Sequence, residues 1–166
     1  MQFCQVRIMQ FPYIKKRRGS ILSKEFIILE DGNKISYKIY GDGDRTILFF
    51  HGLVGGAYLD EEWVKEIRKQ DITLIAIERS GYGASSKIEM SSVSQWAPIA
   101  KKLAEQLNIT ECDVIGCSAG APYSYATAYA LGNSVGNVYI LGGVPAAYME
   151  SVLRHYTPEN QKLYKA

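Results

Sequence analysis

The chain has 166 residues, 47% of them hydrophobic, and its 19 Lys and Arg against 17 Asp and Glu leave a formal charge of +2. This length fits one domain of ordinary size, and the apolar content excludes a chain disordered throughout. So small a charge argues against a nucleic-acid binder.

Residues 1–24 read as an N-terminal arm. Its apolar part, Met1 to Tyr13, precedes the basic run Lys15-Lys16-Arg17-Arg18, the reverse of a secretory signal. No stretch approaches the roughly 20 apolar residues of a spanning helix. Phe26 to Leu29 and Lys34 to Tyr40 are β-favouring runs around Glu30-Asp31-Gly32-Asn33, which predicts an antiparallel hairpin. Thr46 to Phe50 is continuously apolar, as a strand covered on both faces requires, and it runs into His51-Gly52. Leu59 to Gln70 carries Leu59, Trp63, Val64 and Ile67 at helical spacing, and Ile72 to Ile77 reads as another buried strand.

After the loop Glu78 to Lys87, the segment Val93 to Leu107 places Trp96, Ile99, Ala100, Leu103, Ala104 and Leu107 on one helical face. Asp113 to Cys117 is the next expected strand, Ala119 to Leu131 a helix stopped by Gly132-Asn133, and Val138 to Leu141 a further strand. The expected fold is therefore α/β: a mostly parallel sheet of about six strands, an antiparallel hairpin at its N-terminal side, and helices on both faces. The core spans residues 25–144. Residues 145–166 form a tail of one or two short helices divided near Pro158.

Gly116-Cys117-Ser118-Ala119-Gly120 stands between a buried strand and a helix. A nucleophilic serine needs that context, with its hydroxyl held clear of the sheet on a tight turn and glycines on both sides to avoid collision. The competing structural reading is a serine that caps the helix. If Ser118 is the nucleophile, the backbone N–H of Ala119 faces the developing oxyanion, and Leu53, in His51-Gly52-Leu53-Val54-Gly55-Gly56, is the expected second donor. His51 then has an architectural role beside Gly52, shaping that loop. After Ser118 the chain holds one histidine, His155, and no aspartate. Glu150 and His155 are a candidate acid and base, against the blander reading of a solvated surface histidine. In Glu78-Arg79-Ser80-Gly81-Tyr82-Gly83-Ala84-Ser85, the glycines read as a tight turn, since a dinucleotide or Walker fingerprint is incomplete.

Cys4, Cys112 and Cys117 are odd in number and lack Cys-x-x-Cys spacing, so neither a disulfide framework nor a zinc site is indicated. A reducing, cytoplasmic compartment is expected, with no metal and no cofactor.

Phe49-Phe50-His51-Gly52, Glu78 to Ser85 and Gly116 to Gly120 together resemble the α/β-hydrolase superfamily in order and spacing, and most of all its proline iminopeptidase-like and esterase-like branch. Glu78 stands where that branch usually has aspartate. The resemblance covers Phe26 to Val144, up to the sixth of eight usual strands, and implies Ser118 as nucleophile with Leu53 and Ala119 as oxyanion donors. It also implies an acid after the seventh strand, a histidine after the eighth, and a cap whose start corresponds to the tail. The expectation is an incomplete serine hydrolase acting on an ester, amide or related acyl bond of a small molecule. The alternative is an inactive remnant, or a ligand-binding or interaction module of the same fold. Without the last two strands, the edge at Val138 to Leu141 is expected to self-associate or to accept a complementing C-terminal portion.

Overall fold

The computed structural model describes residues 25–143 and 149–165. The expected arm over residues 1–24 lies outside the described residues, as does the junction 144–148. Strands β1 (Glu25–Ile28) and β2 (Lys34–Tyr40) pair antiparallel. Leu29, expected at the end of the first strand, belongs instead to the turn, where its N–H donates to the Asn33 carbonyl at 2.8 Å and its carbonyl accepts from Gly32 N at 3.0 Å. Asp31 Oδ1 accepts from Asn33 N at 2.9 Å. A short acidic side chain that bonds the backbone two residues on favours a turn over a continued strand.

The remaining strands are β3 (Arg45–Phe50), β4 (Ile72–Ile77), β5 (Cys112–Cys117) and β6 (Val135–Leu141). Their order in the sheet is β1-β2-β4-β3-β5-β6. β2 meets β4 antiparallel, and β4, β3, β5 and β6 run parallel. Parallel neighbours need crossovers longer than a hairpin. Helices α1 (Glu61–Lys69), α2 (Trp96–Gln106) and α3 (Ala121–Leu131) lie in these connections.

Strand alternation divides the core between the two faces of the sheet. Leu48, Phe50, Ile75, Ile77 and Val114 pack with Trp96, Ile99 and Leu103 of α2, whereas Leu74 and Ala76 pack with Val64 and Ile67 of α1. Helix α1 is capped by Asp60, whose side chain accepts from Trp63 N at 3.0 Å, with acidic residues in its first turn and basic ones in its last. These charges suit the helix dipole. Trp63, expected on the inner face, is 50% exposed. A helix of nine residues buries one narrow stripe, and Val64 and Ile67 occupy it.

β6 starts at Val135, three residues before the apolar run that announced it. Asp113 at the start of β5 accounts for the extension, because its Oδ1 accepts from Asn137 N and Nδ2 at 2.8 and 3.0 Å. Its Oδ2 takes Arg45 Nε at 2.8 Å and a second, closer Arg45 nitrogen. Burial pushes this carboxyl's pKa up, but the bonds from Arg45 and Asn137 outweigh burial and hold it below the ordinary value. β6 is the outermost strand, with Tyr139 and Leu141 exposed. In the tail, α4 (Glu150–Leu153) and α5 (Pro158–Lys165) are separated just before the proline.

Candidate active site

The C-terminal ends of β3, β4 and β5 lie side by side, in register Phe50↔Ile77 and Phe50↔Gly116. Three loops therefore start from one edge of the sheet: His51-Gly52-Leu53 after β3, Glu78-Arg79 after β4, and Ser118 after β5. Loops at the carboxyl ends of parallel strands are where such sheets place their chemistry.

Ser118 follows β5 and opens a 3-10 turn, Ser118–Gly120, that leads into α3. Its φ is +49°, a left-handed backbone that costs a residue bearing a side chain about 1–3 kcal/mol. The flanking residues must be small. A methyl at Gly116 would lie 2.3 Å from Ser124 Oγ and 3.0 Å from Ala121 Cα, and one at Gly120 would lie 2.2 Å from the Phe50 carbonyl oxygen. Ser118 is the cap of neither following helix: the N-cap of the 3-10 turn is Cys117 and that of α3 is Gly120, and neither makes a side-chain cap bond. The serine therefore sits in a strained conformation that helix capping does not explain.

Gly52 brings the second loop against it, since a Cβ there would stand 3.3 Å from Ser118 Cβ and 3.9 Å from its Oγ. Leu53 follows, 67% exposed, and among the described residues its N–H donates no hydrogen bond. Ala119 lies in the first turn after β5, where backbone N–H groups have no partner within the helix.

His51 is 3% exposed, and both of its ring nitrogens are engaged. The Arg79 amide approaches Nε2 at 3.4 Å, and Nδ1 lies 2.8 Å from the Gly52 carbonyl oxygen. This network assigns the proton to Nδ1, which donates to Gly52, with Nε2 as acceptor. Burial, followed by the charge of Arg79, holds the imidazole below its ordinary pKa and outweighs the bond to Gly52. The ring is neutral near pH 7 and turned to the loop rather than to a substrate proton.

The sign of the resulting pH dependence follows from linkage. Below pH about 6.5 the unfolded chain takes up a proton that folded His51 resists, so stability falls with pH until the folded pKa is passed. Asp113, also depressed, acts only below the ordinary carboxyl value of about 3.8. Urea midpoints are therefore expected to fall between pH 7.5 and 5 in the wild type, and to fall less in His51→Asn. Equal slopes for the two proteins would sink this assignment.

Glu78 and Arg79 are both buried. The Glu78 carboxylate accepts from Ala84 N at 2.8 Å and, more closely, from Ser36 Oγ. Arg79 donates through Nη2 to the Gly52 carbonyl at 2.8 Å. Its guanidinium lies 4.4 Å from the Tyr82 ring centroid and 5.1 Å from that of Tyr123 on α3. Sequence reasoning passed over Arg79, Tyr82 and Tyr123 because a buried arginine inside a turn motif leaves no periodic signal. The one cue was its position beside Glu78.

Glu150 and His155 are exposed in the tail. His155 Nε2 accepts from Arg154 Nε at 3.4 Å, and among the described residues no hydrogen bond joins either residue to Ser118. An open cleft of about 530 Å³ lies beside the site, lined by Ser80, Lys87, Met90, Val93, Pro122 and Tyr123. Ser118 does not line it. Among the described residues no helix is long and apolar enough to cross a membrane.

A family model for the alpha/beta hydrolase fold matches residues 45–161. The uncharacterized hydrolase YcgS of Bacillus subtilis (strain 168) is 33% identical over 92 residues, which is 55% of this chain and 32% of that protein. The esterase of Exiguobacterium antarcticum is similar at TM-score 0.62 and 21% identity, over 71% of this chain and 44% of the esterase. The epoxide hydrolase CorEH, solved without ligand, is similar at TM-score 0.64 and 19% identity, over 85% of this chain and 54% of its own. Likeness at such identities speaks for the fold alone. Since the family match extends over most of its length, this chain belongs to the alpha/beta hydrolase fold family.

Proposed function

We propose that Ser118 is the nucleophile of a serine hydrolase acting on an ester or related acyl bond of a small molecule, with the backbone N–H groups of Leu53 and Ala119 stabilising the oxyanion. The observation that carries this reading is the strained, uncapped conformation of Ser118, at φ +49° and packed against Gly52. A conformation that costs energy without serving the helix is the kind retained at reactive positions. In the step proposed, Ser118 Oγ bonds to the acyl carbon, the carbonyl electrons move to oxygen, and the two N–H groups receive that charge. Because both His51 nitrogens are occupied, the hydroxyl proton passes to solvent. The intermediate then collapses with cleavage of the scissile acyl bond, the leaving group takes a proton from solvent, and water hydrolyses the acyl-serine.

The same occupancy favours a second reading, a binding module of this fold without turnover. Reaction with a fluorophosphonate separates the two, because an Oγ–P bond forms, the P–F bond breaks, and the proton passes to buffer. Ser118 is expected to label, with Ser118→Ala losing all labelling and staying within about 0.5 kcal/mol of wild-type stability in urea, as a residue that caps nothing should. Labelling no faster than in Ser118→Ala leaves the binding module as the surviving reading. A loss of 1 kcal/mol or more in Ser118→Ala would restore the capping role.

A further inference from the structure

Arg79 is 5% exposed, yet it extends from the loop after β4 to the loop after β3. The acceptor it reaches, the Gly52 carbonyl, belongs to the same peptide unit as the Leu53 N–H. A peptide is planar, and in the trans form its C=O and N–H point in opposite directions. Among the described residues there is no cis peptide. Holding the Gly52 oxygen therefore also sets the direction of the Leu53 hydrogen. His51 Nδ1 holds the same oxygen from within the loop, at 2.8 Å, as does Arg79 Nη2. The plane is gripped twice, on the side away from Leu53 N–H.

The guanidinium has little freedom to let go. Tyr82 and Tyr123 lie within cation–π range of it, at 4.4 and 5.1 Å. Tyr82 also packs edge-on against His51, with ring centroids 4.8 Å apart. Tyr123 comes from α3, the helix that follows Ser118. One side chain thus joins two loops and a helix: it bonds the loop after β3, starts from the loop after β4, and rests on α3, the helix that follows Ser118. The arrangement also has a cost, because Arg79 Nε is buried and, among the described residues, has no hydrogen-bond partner. An unpaired buried donor calls for a reason beyond packing, and an apolar side chain would fill the space without that cost.

We propose that Arg79 is a positioning residue that fixes the Gly52–Leu53 peptide plane, and with it the aim of the Leu53 N–H at the oxyanion formed on Ser118. This rests on the serine-hydrolase reading for its use in catalysis, while the geometric claim stands by itself. Two readouts keep them apart: the fluorophosphonate labelling rate of Ser118, and the backbone order parameters of the Leu53 and Ala119 amides.

Arg79→Met retains much of the volume and removes the donor. Labelling is expected to slow by a factor of ten to one hundred, about the loss of one oxyanion donor at its upper end. The Leu53 order parameter is expected to drop from about 0.85 to below about 0.6, while Ala119 stays rigid. Arg79→Lys, which still carries a donor toward Gly52, is expected to keep Leu53 ordered. Should Arg79→Met fail to fold, Arg79→Gln, too short to reach the Gly52 oxygen, is read in the same way. If the wild type does not label but Leu53 loosens in the variant, the nucleophile reading fails and the positioning claim holds. An ordered Leu53 in a folded variant without the donor overturns the claim, whatever the labelling does.

Discussion

Gly120→Ala is expected to cost about 3 kcal/mol, at the upper end of overpacking losses. The added methyl would meet the Phe50 carbonyl oxygen at 2.2 Å, the Phe50 carbonyl carbon at 2.8 Å and the His51 oxygen at 2.9 Å. All three are backbone atoms: the two of Phe50 belong to the last residue of a central strand with parallel partners on both sides, and His51 follows it directly. They cannot rotate away as a side chain would, so the turn after Ser118 must lift from the sheet. That movement would also separate Ser118 from Gly52, so fluorophosphonate labelling is expected to fall even where the variant remains folded. Gly116→Ala is the comparison, because its nearest contact is the Ser124 hydroxyl, a group that can shift, and its loss is expected to be smaller. Urea denaturation measures both, with an unchanged slope showing that the folded state alone is affected. A midpoint for Gly120→Ala equal to wild type would mean that the turn does not sit against β3.

Trp96→Ala should lose about 3–5 kcal/mol. Trp96 is fully buried, with its ring edge-on to Phe50 at 5.8 Å and to Tyr123 at 5.2 Å. Its indole N–H donates to Thr127 Oγ1 at 3.1 Å, and Thr127 is itself fully buried. Removal therefore leaves a cavity and an orphaned hydroxyl together. Trp96→Phe keeps most of the volume and loses only the hydrogen bond, for an expected cost of about 1–3 kcal/mol. Because Tyr123 also flanks Arg79, Trp96→Ala is expected to slow labelling of Ser118, although Trp96 lies under the site rather than in it. Equal losses for the alanine and phenylalanine variants would show that the hydrogen bond, and not the packing, dominates.

Much of the fold was legible in local patterns. The spans of β2 and β4, Lys34–Tyr40 and Ile72–Ile77, agree with the expected ones, because each is a compact β-favouring run bounded by turn residues. Where the local pattern thinned, the reading stopped short. Val135-Gly136-Asn137 has no apolar run, and it becomes strand because Asp113 bonds Asn137 across the ladder. Trp63 carries helical spacing, yet a helix of nine residues buries one narrow stripe, which Val64 and Ile67 occupy. Helix α3 shows no amphipathic stripe from which its inner face could be chosen, and packing against α2, β5 and β6 decides that Ala121, Ser124, Ala126 and Thr127 are buried.

By itself the sequence determined the alternation of strands and helices, the turn at Ser118 and the glycine loop after His51. These are set by residues close in the chain, through apolar periodicity and through positions where a side chain would collide. Tertiary structure alone decided that β4 lies between β2 and β3, and hence that Arg79 reaches Gly52. The physical reason is that strand order and a buried ion's partners depend on groups far apart in sequence, and no local propensity encodes which carbonyl a guanidinium will meet.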